Sequence, residues 1–227
     1  MKEQERFGNN FEELIKDFFN YLKEEEISIY NEFSFQHELG IYLRNVYHKN
    51  YKIEFERNAN KHLHINYDKL TDSNEERIKE EMDIYIYNKN DISERYAIEL
   101  KYPLNGQVPE QMYQFAKDIK FMQFLKNKGF SKTYCIVLTD NKNFYMGQQK
   151  GRIADIYKYF RSSREPLTGK IEKPTGKYQK DRPFIHLEKE YPIVWNSCEI
   201  IQTNYDIKTK SLISKINECR YFIIECE

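Results

Sequence analysis

Apolar residues recur at helical spacing in FEELIKDFFNYLKEEE, at Phe11, Leu14, Ile15, Phe18, Phe19 and Leu22, and predict a first amphipathic helix. A second helix reads through SFQHELGIYLRNVYHKN, with Phe35, Leu39, Tyr42, Leu43 and Val46 inward. The alternation in YKIEFER predicts the first strand. Residues 58 to 81 are polar and read as a loop or an exposed short helix. Two short apolar runs follow, at about 82–88 and 94–102. The turn-forming stretch NKND separates them, so they form an antiparallel hairpin. Pro109 and Gly129 bracket a third helix whose apolar stripe is Met112, Phe115, Ile119, Met122 and Leu125. KTYCIVLTD is nearly continuously apolar, as a strand covered on both faces should be. Strand, helix and strand within about 45 residues make a crossover unit with two parallel strands.

Beyond Asp140 the periodicity weakens. IADIYKYFR reads as a short helix, and SSREPLTGKIEKPTGKYQKDRP as a mobile loop rich in Gly, Pro and Lys. PFIHLEKEYPIVWNSCEI and CRYFIIEC read as strands, while IKTKSLISKI between them fits neither template. No internal repeat is visible. The pattern predicts one α/β domain over residues 1–227, with a core at about 32–140 and a C-terminal α+β extension over about 141–227.

Composition changes the picture little. Apolar residues make up 40% and charged residues 32%, enough for a buried core under a solvated surface. The formal net charge is zero but unevenly placed. Residues 1–100 hold 14 Lys and Arg against 22 Asp and Glu, whereas residues 142–182 hold 11 against 4. The basic segment is either a solvated loop or a face toward a polyanion. Cys135, Cys198, Cys219 and Cys226 lack metal-like spacing, and Cys135 lies inside an apolar run as a buried free thiol. A polar start, and no apolar run approaching 18 residues, lead to the expectation of a soluble, cytoplasmic protein.

The chemistry concentrates in MDIYIYNKNDISERYAIELKYP, residues 82–103. Strand alternation sends Met82, Ile84 and Ile86 to one face and Asp83, Tyr85 and Tyr87 to the other. On the next strand Ala97, Glu99 and Lys101 share a face opposite Ile98 and Leu100. A matching register brings Asp83 to Glu99 and Lys101. Two carboxylates and an ammonium against a sheet are costly unless they pair or bind a cation. Mg²⁺, or Mn²⁺ in its place, takes oxygen ligands, and Asp83, Glu99 and the Leu100 carbonyl offer three. An edge-strand salt bridge is the structural alternative.

These residues resemble the PD-(D/E)XK nuclease superfamily, with its restriction-endonuclease-like fold. Asp83 stands at the Asp of the family's PD element, preceded by Met82 rather than Pro, and Glu99–Leu100–Lys101 matches (D/E)XK. The α-β-β-β-α-β order over about 32–140 resembles the common core, a mixed sheet between helices. The resemblance implies metal-dependent phosphodiester hydrolysis, on DNA rather than RNA, as an endonuclease or exonuclease. Asp83 and Glu99 would hold Mg²⁺ or Mn²⁺, and Lys101 would orient the attacking water. Two further positions carry over: Glu38, as the acid on the helix before the first strand, and Gln111, on the helix after Lys101, with Phe115 where the family has Tyr. A small stand-alone member would act in restriction, phage defence or repair, and a flush double-strand cut would need a homodimer. A catalytically silent nucleic-acid- or protein-binding module on the same fold is the alternative.

Other polar residues carry less. His62 and His64 alternate without a third ligand nearby, and His37, after Gln36 on the helix, is either exposed or packed. Tyr85 and Tyr87 either pack on the sheet or line a groove. LTGKIEKPTGK lacks the spacing and setting of a phosphate-binding P-loop. Its Lys170, Lys173 and Lys177 are either phosphate contacts or a solvated linker.

Overall fold

A computed structural model describes residues 7–60, 81–147, 156–161, 165–174, 182–206, 208 and 210–226. The elements run α1 (Phe11–Glu24), α2 (Glu32–Tyr47), β1 (Tyr51–Asn58), β2 (Glu81–Asn88), β3 (Arg95–Lys101), α3 (Val108–Asn127), β4 (Lys132–Thr139), a 3-10 turn (Lys142–Phe144), α4 (Tyr157–Phe160), β5 (Leu167–Glu172), β6 (Phe184–Tyr191), β7 (Asn196–Asp206) and β8 (Ser211–Cys226). The fold is α/β. A mixed six-stranded sheet has the order β1-β2-β3-β4-β8-β7, and β5 and β6 form a separate hairpin. β1, β2 and β3 make an antiparallel meander, β3 and β4 are parallel across α3, and β8 is antiparallel to both β4 and β7.

Two apolar layers sandwich the sheet. Ile15, Phe18, Phe19 and Leu22 of α1 and Phe35, Leu39 and Leu43 of α2 cluster with Ile84, Ile86, Ile98, Leu100, Ile136 and Leu138. On the other face Met112, Phe115, Ile119 and Met122 of α3 cluster with Tyr85, Ala97, Cys135, Val137 and Phe222, and Leu167 and Ile171 of β5 join them. Strand alternation therefore sorts β3 as expected, with odd positions toward α3 and even positions toward α1 and α2. Met82 departs from the pattern and belongs to the α3-side cluster with Ala59 and Tyr85. The pleat is interrupted there: the β1–β2 register passes from Phe55↔Ile84 to Arg57↔Met82, and Glu56 between them sits at φ 50°, a region that favours glycine.

α2 starts two residues earlier than its apolar pattern implies. Asn31 caps it: its side chain accepts from the Ser34 amide at 2.7 Å, and Ser34 Oγ accepts from the Asn31 amide at 3.0 Å. Val46, expected inward, is 37% exposed, and Gln36 is buried in its stead. Gly40 lets β1 approach this helix: a Cβ there would lie 2.1 Å from Phe55 Cε1 and Cζ. Gly40→Ala would ordinarily gain about 1 kcal/mol of helix propensity. Here the overlap with the ring dominates, and urea unfolding should show a loss of about 1–3 kcal/mol. Adding Phe55→Leu should recover part of it; a Gly40→Ala chain as stable as wild type would contradict the close approach.

The C-terminal extension belongs to the central sheet through the β4–β8 pairing. The segment read as a mobile loop contains β5, which pairs with β6 across a bulge at Leu167/Gly169. Its strand character comes from that distant partner and from burial of Leu167 and Ile171 against α3, neither of which local composition reveals. IKTKSLISKI lies largely in β8 for the same reason. Among the described residues no helix is long and apolar enough to cross a membrane.

Burial pushes the Cys219 thiol up to about 12, with Asp140 adding to the effect. It also raises Cys135 and Cys198, and the phenols of Tyr85, Tyr102, Tyr134 and Tyr191. Unfolded, such groups ionise near 9.0 and 10.0. Folded, they keep their protons, so this stability is complete below the unfolded values and is lost as pH rises toward the folded ones. Melting temperature followed by circular dichroism should therefore fall steadily above pH 9.0. Constant melting up to about pH 12, the folded Cys219 value, would contradict it.

Candidate active site

The β2–β3 register runs from Tyr87↔Arg95 to Ile84↔Ile98, so the next step puts Asp83 across from Glu99. Glu99, at an odd position of β3 like Ala97, lies on the α3 side of the sheet, and Asp83 falls where the β2 pleat is interrupted. At this point side chains replace the ladder. Asp83 Oδ2 accepts from the Leu100 amide at 2.7 Å. Gln36 Nε2 donates to the Asp83 carbonyl at 2.8 Å and to Glu56 Oε1 at 2.5 Å. A buried glutamine on α2 thus satisfies a backbone group that a regular β1 would have met.

Lys101 gathers the charges. Its Nζ donates to the Leu100 carbonyl at 2.9 Å and to Glu32 Oε1 at 3.0 Å, and lies 3.6 Å from Glu99 Oε1 and 3.8 Å from Asp118 Oδ2. Glu32 also accepts from the Tyr102 amide at 3.3 Å. Glu99 is 1% exposed, Asp118 6% and Asp83 7%. Burial by itself would push the Lys101 ammonium down. Asp118, Glu99, Asp83 and Glu32 together outweigh that and hold it above the usual lysine value. Four carboxylates act on this ammonium, three of them buried.

The structure therefore brings Asp83, Glu99, Lys101 and the Leu100 carbonyl together, and adds Glu32, Gln36 and Asp118. Glu38 is not among them. It lies about 200° around α2 from Gln36 at 3.6 residues per turn, on the flank away from both Gln36 and Glu32. The helix is turned by packing of Phe35, Leu39 and Leu43, which carries Glu32, one turn earlier, to Lys101. Gln111 is half-buried, and its Nε2 donates to the Asn105 carbonyl at 3.2 Å in the loop after β3, not to the acids. Asp118 had a legible signal. It stands three residues after Phe115 and four before Met122, so it faces inward on the apolar stripe of α3. Glu32 and Gln36 had none beyond a helix start.

Lys170 pairs with Glu172 at 3.2 Å and lies over the Phe184 ring at 4.5 Å. Lys173 reaches Glu110 at 3.3 Å, in the first turn of α3. Both sit on or just after β5 rather than on a loose loop. Lys177, His62 and His64 lie outside the described residues.

Among the described residues no three His, Cys, Asp or Glu side chains are arranged to hold a metal ion. The donors do fit a hard cation in kind: Asp83, Glu99 and the Leu100 carbonyl are all oxygen, and Mg²⁺ commonly takes only one or two carboxylates. Comparison with protein-family models, with curated proteins and with solved structures finds no match to this chain.

Proposed function

We propose that this chain is a metal-dependent nuclease of PD-(D/E)XK type that hydrolyses phosphodiester bonds in DNA. The observation that carries this is the convergence of Asp83, Glu99 and Lys101 in one largely buried cluster at the end of the sheet. The order α2-β1-β2-β3-α3-β4, a meander followed by a parallel crossover, supports a restriction-endonuclease-like core.

Asp83 and Glu99 would hold Mg²⁺ or Mn²⁺ with the Leu100 carbonyl. The metal, when bound, supplies Lewis-acid polarisation of the phosphate and a more acidic water. Lys101, held protonated by its acids, acts as a donor: it neutralises charge on a non-bridging phosphate oxygen and orients the nucleophile. Asp118 and Glu32 position Lys101, and Gln36 fixes the backbone at Asp83. Catalysis by such a set is mostly positioning and charge stabilisation.

The test is cleavage of labelled duplex DNA, single-stranded DNA and RNA with Mg²⁺, with Mn²⁺ and with EDTA. Metal-dependent cleavage of DNA is the expected outcome. Nucleic-acid binding without cleavage under any metal would move the chain to the catalytically silent module.

A further inference from the structure

β7 is an edge strand, and β8 pairs with β4 only from Arg220 to Cys226. N-terminal to Arg220 the β7–β8 pair runs on past Thr139, the last residue of β4, as a two-stranded ribbon. β3 and β4 are parallel with Lys101 opposite Val137, so the ribbon leaves the sheet at the end where Lys101 and its acids lie.

The base of the ribbon is fastened. Ile200 and Ile201 are buried, Ser28 bridges Ile201, and Ser28 Oγ bonds Thr203 Oγ1 at 2.9 Å. Gln202 Nε2 donates to the Tyr102 hydroxyl at 2.9 Å and Asn217 Nδ2 to Gln202 Oε1 at 2.6 Å, which ties the ribbon to the residue after Lys101. From Asn204↔Ile213 to Asp206↔Ser211 the pairing continues beyond these ties. That is roughly 10 Å of free ribbon at 3.3 Å per residue.

Its chemistry is specific. Residues 202–216 carry Lys208, Lys210 and Lys215 against one acid, Asp206, whose Oδ1 accepts from the Lys208 amide at 2.8 Å, and all three lysines are exposed. Leu212 and Ile216 are 71% and 58% exposed, and by alternation continue the face of Phe222 and Ile224, the α3 side that holds Glu99. Lysines suit phosphates, and apolar side chains suit thymine methyl groups. The B-DNA major groove, about 12 Å wide, admits a two-stranded ribbon, whereas the A-form RNA groove is too deep and narrow.

We propose that the ribbon from Gln202 to Ile216 is a DNA-engaging arm that lies in the major groove of a duplex beside the strand presented to Asp83 and Glu99. This rests on the nuclease assignment and narrows its substrate to B-form duplex DNA.

The experiment is fluorescence anisotropy in EDTA over a salt series, with a labelled DNA duplex, an RNA duplex and single-stranded DNA. The full chain is compared with Lys208→Ala/Lys210→Ala/Lys215→Ala and with Leu212→Ser/Ile216→Ser. The lysine variant should weaken duplex DNA binding at least about tenfold and lower the salt slope by about 2.7, at roughly 0.9 per phosphate contact. The apolar variant should weaken duplex binding without changing the slope. Unchanged duplex affinity in both variants overturns the arm, as does equal preference for the RNA duplex or no DNA binding by wild type. A wild-type dimer that becomes monomeric in the apolar variant with DNA affinity intact also overturns it, in favour of self-association. Arm-dependent DNA binding without metal-dependent cleavage keeps the arm and rejects the nuclease; cleavage with arm-independent binding does the reverse.

Discussion

Asp83→Asn and Glu99→Gln are each expected to lower Mg²⁺-dependent cleavage by roughly a thousandfold or more, the scale at which loss of preorganised charge at a reacting phosphate is felt. In EDTA the same chains should unfold at higher temperature than wild type. Asp83, Glu99 and Asp118 are buried close together beside the Lys101 ammonium, with Glu32 at its edge, so removing one negative charge relieves repulsion among the acids. The amides keep the shape: an asparagine at position 83 still offers an oxygen to the Leu100 amide. A gain of about 1 kcal/mol is typical when a functional charge cluster is neutralised. Titration calorimetry should show Mg²⁺ binding lost in both variants. A purely structural ion cluster would behave in the opposite way: either neutralisation would cost stability, and metal binding would be absent or equal in all three chains.

Lys101→Met should be the most destabilising single change in the site. It leaves the carboxylates of Glu99, Asp118 and Asp83 buried without their shared cation. Removing one side of a buried ionic cluster typically costs about 3–5 kcal/mol. Urea unfolding in EDTA should register that loss, and added Mg²⁺ should restore part of it, because a divalent cation offsets the same charges. Cleavage should be abolished even where the fold is rescued, since methionine has no proton to donate to the phosphate from that position. Glu32→Gln is the internal control. Its side chain is 43% exposed, so the same measurement should show a far smaller change. A Lys101→Met chain as stable as wild type would mean that the acids are stabilised by something other than this ammonium.

Much of the site is legible in the sequence. The shared face of Glu99 and Lys101 follows from alternation, because successive strand residues point to opposite sides, whereas Asp83 falls where the β2 pleat is interrupted. The turn between β2 and β3 follows from NKND, and α3 from its stripe between Pro109 and Gly129. The same stripe could have yielded Asp118, whose spacing to Phe115 and Met122 makes it an inward charge. Glu38 illustrates the limit. On a helix with a broad apolar face, several positions count as inward, and only the packing of Phe35, Leu39 and Leu43 against β2 and β3 decides that Gln36 and Glu32 reach the sheet's functional edge. Gln111 shows a related limit: its position at the start of α3 is as expected, but the loop after β3 takes its amide.

Backbone geometry has a fixed period, so the sequence by itself determined the β2–β3 hairpin and the meeting of Glu99 with Lys101 on one face of β3. Rotation of a helix about its axis, and the partners of β5 and β8, depend on residues far away in the chain. Leu167 and Ile171 become strand residues because α3 covers them, and Arg220–Cys226 joins the central sheet because β4 pairs along it. No local window contains those partners, and only the tertiary structure supplied them.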